Sequence, residues 1–131
     1  MVKRTVFLRE VLSWPDAPPG GEVVLTRAEA YSRTPNVAES FDLVTARSFG
    51  PPSVTAECGA RFLKVGGLMV VSEPPVETDL ERWSDAGLNE LGLVSLGRVR
   101  HGAAFQILRK LNPTPNTYPR EIGTPAKRPL F

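Results

Sequence analysis

The chain opens on apolar residues at three- and four-residue intervals, Phe7, Leu8, Val11 and Leu12, with Lys3, Arg4, Arg9 and Glu10 on the intervening positions. That period predicts an amphipathic helix over residues 2–13, ending near Pro15. Asp16-Ala17-Pro18-Pro19-Gly20-Gly21 is turn chemistry, and Glu22-Val23-Val24-Leu25-Thr26 after it is short, β-branched and strand-like. The alternation then repeats. Phe41–Ala46 is a near-continuous apolar run, Pro51-Pro52 punctuates it, and Ser53 is placed to cap a helix carrying Val54, Cys58 and Phe62 at four-residue steps, with Gly66-Gly67 as its stop. Leu68–Val71 is a second continuous run, as expected of a strand covered on both faces of a parallel sheet. Residues 78–91 are weakly helical, and Leu93–Leu96 and Ala104–Leu108 read as two final strands forming an antiparallel pair. Strand-helix alternation of this kind is the α/β class.

From Asn112 onward the pattern stops. Pro113, Pro115, Pro119, Pro125 and Pro129 exclude a helix or a central strand and predict an extended tail, docked on the domain or partly mobile. The chain therefore divides into a globular part, 1–111, and a tail, 112–131.

Composition adds bounds. With 131 residues, 41% hydrophobic and 23% charged, the chain has the makeup of one globular domain with a modest core. No apolar run approaches the roughly 18 residues of a membrane span, so a cytoplasmic location is the expectation. A single cysteine, Cys58, excludes an internal disulfide, and with one histidine, His101, no Cys/His metal site is expected. Cys58 lies on an apolar helical face and reads as a buried structural thiol. Neither GxGxxG nor GxxxxGK[ST] occurs, so no local stretch builds a glycine-rich cofactor loop. Charge is uneven: residues 98–131 hold seven basic groups against Glu121 alone, while residues 1–97 hold 9 basic and 13 acidic groups. A basic segment on a mildly acidic body suits a polyanion such as RNA.

Four segments, in order, carry a resemblance. They are Lys3–Val11 (KRTVFLREV), Arg27-Ala28-Glu29, Phe41–Phe49 (FDLVTARSF) and Tyr118–Leu130 (YPREIGTPAKRPL). Together they resemble the small-subunit ribosomal RNA guanine-N7 methyltransferases, also called the glucose-inhibited division protein B family, and the proline-rich terminus is the most specific of the four. The resemblance implies an incomplete Rossmann-like class I methyltransferase sheet, mostly parallel with a C-terminal antiparallel pair, plus the proline-rich tail. It implies S-adenosylmethionine as cofactor and 16S ribosomal RNA as partner. The acidic residue that holds the cofactor ribose, and the glycine-rich loop before it, would fall ahead of Met1. A homodimer or a complementing N-terminal segment is then expected to close the sheet, because the missing first strand is central in such folds.

Carried over residue by residue, the resemblance assigns Arg27, Ala28 and Glu29 to the cofactor edge and Arg47 to the active site, just past a strand end where open α/β sheets place ligands. Arg109, Lys110, Arg120, Lys127 and Arg128 are the expected RNA contacts. Two positions depart from the family: Glu73, followed by Pro74-Pro75, stands where a lysine is common, and Glu121 where a second basic residue is usual. The other expectation for the chain is a non-enzymatic descendant that binds RNA or protein.

Overall fold

The computed structural model describes residues 2–76 and 81–131. Helix α1 spans Val2–Leu12, as the apolar period requires. Its apolar face is not buried, however: Phe7 is 59% and Leu8 47% exposed, and only Thr5 of the helix is buried. The segment 22–26 is also not a strand. Its β-branched residues favour extended backbone, but a strand exists only where a neighbour completes the ladder, and none of the described residues does so.

The sheet itself has four strands, β1 (Phe41–Ala46), β2 (Leu63–Glu73), β3 (Leu93–His101) and β4 (Ala103–Lys110), in the order β1-β2-β4-β3. β1 and β2 are parallel, and β4 is antiparallel to both β2 and β3. Three strands therefore run one way and only β4 opposes them, which is the mixed sheet expected of a partial Rossmann-like methyltransferase fold. β1 is an edge strand, so Phe41 and Leu43 remain about half exposed where full burial was expected.

Helix α3 (Pro52–Ala60) makes the crossover from β1 to β2. Its N-cap is Pro51, not Ser53, whose hydroxyl instead accepts hydrogen bonds from the Leu130 and Phe131 amides. Gly66-Gly67 does not stop this helix either. Both glycines lie inside β2, where a step of two residues in β1 matches a step of five in β2, and the left-handed Gly66 (φ 93°) accommodates the bulge. Of the weakly helical stretch 78–91, residues 78–80 lie outside the described residues, and only Asp85–Glu90 is helical (α4), capped by the Ser84 side chain.

α3, α4 and the tail cover one face of the sheet. Ala56, Ala60, Leu63, Met69, Leu88, Leu91, Leu93 and Leu108 form the core between them, edged by Tyr118, Leu130 and Phe131. The tail is docked, and it contains a one-turn helix, α5 (Thr124–Lys127), where no helix was expected. Pro125 is tolerated because it falls in the first turn, where a helix leaves its N–H groups unpaired anyway. No helix is long and apolar enough to cross a membrane among the described residues.

Gly92 joins α4 to β3 with φ 84°, and its carbonyl accepts the Leu111 amide at 2.9 Å where β4 passes into the tail. A Cβ there would collide with the Asn112 carbonyl oxygen in a backbone region that L-residues avoid. Gly92→Ala is expected to destabilise the fold by about 2 kcal/mol, combining the two effects. Denaturant unfolding should show a lower midpoint with an unchanged slope.

Candidate functional site

The tail poses a local problem that the body solves. Five prolines in residues 112–131 remove amide donors, so the tail cannot pair as a strand, yet its carbonyl oxygens still need partners once it docks. Two arginines of the body supply them. Arg61, itself buried, donates to the carbonyls of Tyr118 (2.6 Å) and Pro115 (2.7 Å). Arg33 donates to those of Pro119 (3.1 Å) and Asn116 (2.9 Å). Burial, with the Arg33 charge next, lowers the Arg61 pKa, and Glu39 opposes the shift.

Carboxylates hold three further tail residues. Glu57, fully buried on α3, accepts the Arg120 amide (2.8 Å) and forms a two-point pair with its guanidinium (2.7 Å at the shortest). That hydrogen bond raises the Arg120 pKa. Glu29, in the short helix α2 (Ala28–Tyr31), accepts from Arg27 (2.9 Å) and from the Gly123 amide (3.3 Å). Burial pushes the Glu29 carboxyl up, but hydrogen bonds from its own backbone, Gly123 and Arg27 outweigh it and hold the pKa below the ordinary value. Tyr118, before the cis peptide to Pro119, donates its hydroxyl to Glu90 at 3.0 Å.

These contacts redistribute the residues expected from sequence. Lys110 has no surface to offer RNA: it is fully buried, and its ammonium donates to Leu63 O (2.7 Å), Ala60 O (3.0 Å) and Glu39 (3.2 Å). Burial lowers its pKa, against the raising effect of Glu39. Arg120 is committed to Glu57 and to the Arg128 carbonyl. Arg109, Lys127 and Arg128 are exposed. Strand alternation was the signal for Lys110, since Ala104, Gln106, Leu108 and Lys110 share the inward face of β4. Glu57, Arg33 and Arg61, the tail's main anchors, were not singled out from sequence.

Two clefts flank the carboxyl end of β1. On the α3 side, an apolar cleft of about 150 Å³ is lined by Ala28, Ala46, Phe49, Cys58, Phe62 and Met69, among others. Of the three expected cofactor residues only Ala28 lines it; Glu29 faces a separate cleft under the tail, with Arg33 and Arg120. Burial, then the Glu29 and Glu57 charges, pushes the Cys58 thiol up to about 12, so at neutral pH it is an apolar wall and not a nucleophile. On the other side, Arg47 lines a cleft of about 330 Å³ with Thr45, Val70, Ser72, Ala103 and Phe105. Arg47 is exposed, and its guanidinium makes no ion pair among the described residues.

Glu73, one of the two departures from the family pattern, does not put a free negative charge in this region. Its side chain is buried and accepts from Trp83 (2.6 Å) and Arg82 (2.9 Å).

The tail anchors give a direct test. Glu57→Gln keeps the shape but loses the charge that holds Arg120, and it should cost about 2 kcal/mol. Amide exchange at residues 118–131 is expected to accelerate about tenfold or more while β2 and β4 stay protected.

No protein-family model matches the chain. Curated relatives do. A ribosomal RNA small subunit methyltransferase G of Leuconostoc mesenteroides is 35% identical over 138 aligned positions, covering 98% of this chain and 56% of that protein. The proteins of the same name from Dictyoglomus thermophilum and Symbiobacterium thermophilum are 32% and 35% identical, again over 98% of this chain and 55% and 56% of theirs. The resemblance carried by the four segments thus extends along nearly the whole sequence, and the chain is a relative of the ribosomal RNA small subunit methyltransferase G family that spans a little over half the length of those proteins.

Proposed function

We propose that this chain forms the substrate side and the adenine edge of an S-adenosylmethionine-dependent methyltransferase acting on guanine N7 of 16S ribosomal RNA in the cytoplasm. The observation that carries the reading is the pair of clefts at the carboxyl end of β1, which share Thr45 and Ala46. Ligands of open α/β sheets bind at that end.

The residues present fit part of the cofactor. The apolar cleft beside Ala28, with Phe49, Phe62 and Met69 in its walls, suits one face of an adenine. It is too small for the ribose and methionine parts, and Glu29 accepts from Arg27 and from the Gly123 amide of the tail in place of a ligand. Bound there, the cofactor supplies an electrophilic sulfonium methyl. Guanine N7 already carries a lone pair, so no residue of this chain has to remove a proton. Arg47 orients the base through O6 or a neighbouring phosphate and leaves N7 free. Proximity and orientation then account for the acceleration.

Phe7 and Leu8 of α1 and Phe41 and Leu43 of β1 leave apolar surface exposed, which supports a complementing segment or a second copy as partner. Calorimetry with S-adenosylmethionine should show weak or undetectable binding by this chain alone; micromolar affinity would sink the half-pocket reading. A chimera in which this chain replaces the matching part of the Leuconostoc mesenteroides relative is expected to methylate ribosomal RNA, and Arg47→Ala in it to lower turnover at least about 100-fold. An inactive but folded chimera would favour a non-enzymatic RNA- or protein-binding descendant.

RNA affinity is expected to depend on the exposed cations only. Replacing Arg109, Lys127 and Arg128 together with glutamine should weaken binding and flatten its salt dependence by about two to three in the log-log slope. The fold should remain intact, since none of the three side chains anchors the tail.

A further inference from the structure

One wall of the apolar cleft beside β1 is a helix too short to hold itself. α2 is four residues long, and a single helical turn makes too few hydrogen bonds to persist without tertiary support. Among the described residues, every long-range hydrogen bond made by residues 27–33 ends on the tail. Glu29 accepts the Gly123 amide (3.3 Å), and Arg33 donates to the carbonyls of Pro119 (3.1 Å) and Asn116 (2.9 Å). The body gives this segment packing only. The Tyr31 ring lies 6.0 Å from that of Phe62, and the fully buried Ser32 hydroxyl has no hydrogen-bond partner among the described residues. Ala28, next to Glu29 in the chain, lines the cleft with Cys58 and Gly59 of α3. The tail is in turn tied to α3 itself, by Glu57 to Arg120 and by Ser53 to the Leu130 and Phe131 amides. α2 is therefore bonded to α3 through the tail, and the cleft lies between the two helices so joined.

We propose that the tail is a strap that sets the position of α2, with Glu29 and Arg33 as positioning residues, so that the apolar cleft keeps its shape only while the strap is fastened. That the cleft takes an adenine rests on the methyltransferase reading; the strap rests on the contacts alone. Arg33 suits the role because one planar guanidinium reaches two carbonyls at once, and both belong to a proline-rich stretch with few other donors near. Loss of these bonds frees the Ala28 wall and leaves the tail on α3. A ligand that needs both walls then favours the fastened strap by the same factor as the strap favours the ligand.

The chain carries its own probe. Cys58 is the single cysteine, is 2% exposed and lines this cleft, so its reaction with dithiodipyridine, an uncharged aromatic disulfide, reports movement of the α2 wall. Arg33→Ala should speed that reaction at least about tenfold while the amides of β2 and β4 keep their protection, the mark of a local opening. Arg33→Lys, with an ammonium that can serve one carbonyl, should bring the rate back to within about threefold of the parent. An unchanged rate in a folded Arg33→Ala chain overturns the proposal, as does an acceleration matched by lost protection in β2 and β4. Should that variant not fold, the parent chain decides. The opening that exposes Cys58 and the one that exchanges the Gly123 amide are expected to have equilibrium constants equal within about threefold, and well above that of β2 and β4. Cys58 that reacts only through the opening shared with β2 and β4 overturns the strap. Adenosine should slow the reaction in the parent. Adenosine without effect would sink the adenine reading of the cleft alone; a Cys58 indifferent to the Arg33 anchor would sink the strap alone.

Discussion

Docking a proline-rich segment onto a folded body requires hydrogen-bond donors from the body, and that requirement organises this molecule. The tail brings carbonyl oxygens that cannot be buried unpaired and too few amides to pair them by itself. Guanidinium groups suit the task because each projects several donors in one plane, and Arg61 and Arg33 each span two or more carbonyls. In the opposite sense, Glu57, Glu29 and Glu39 accept the amides of Arg120, Gly123 and Thr114, and Ser53 those of Leu130 and Phe131. The tail in turn completes the core, with Tyr118, Leu130 and Phe131 packed against it. The Phe131 ring occupies the space above Gly87, where any Cβ would collide with it.

This arrangement changes what the most specific stretch of sequence means. Tyr118–Leu130 carried the resemblance, and its basic residues suggested a role on RNA. In the fold, Tyr118, Arg120, Gly123 and Pro125 are docking residues: each is buried, or tied to a carboxylate on α2, α3 or α4. A cation held this way offers little net field to a phosphate. Of the seven cations in residues 98–131, Lys110 and Arg120 face Glu39 and Glu57, and the other five form no ion pair among the described residues.

The elements were legible where local pattern decides them. α1, β1 and the core of β2, β3 and β4 followed from periodicity, since runs such as Phe41–Ala46 and Leu68–Val71 are short, apolar and bounded by turn residues. Burial was not legible at the edge. The same apolar run that marks β1 as a strand says nothing about whether a neighbour covers it, and Leu43 is left exposed. The failed strand at 22–26 is the same lesson, because pairing is a property of two segments. The anchors were out of reach for another reason. Arg61 and Tyr118 are 57 positions apart, and Glu57 and Arg120 are 63 apart, so no local window contains both partners. Only alternation along β4 could have turned Lys110 inward.

Glu73 shows how charge counted along a sequence differs from charge presented in space. A glutamate where the family resemblance implies a lysine reads as a reversal of sign beside a site expected to meet a polyanion. Yet its carboxylate is buried against Arg82 and Trp83, so the pair is close to neutral and contributes mainly to holding the residues after β2 in place. The Pro74-Pro75 step that follows exposes two carbonyls, and these orient Arg98 and Arg100 from the neighbouring hairpin. Arg98 and Arg100, on β3 beyond β4, carry positive charge to this end of the sheet on side chains whose acceptors are neutral among the described residues. Because a carbonyl fixes a guanidinium without cancelling it, the glutamate at position 73 does not by itself decide the sign of the charge at this end of the sheet.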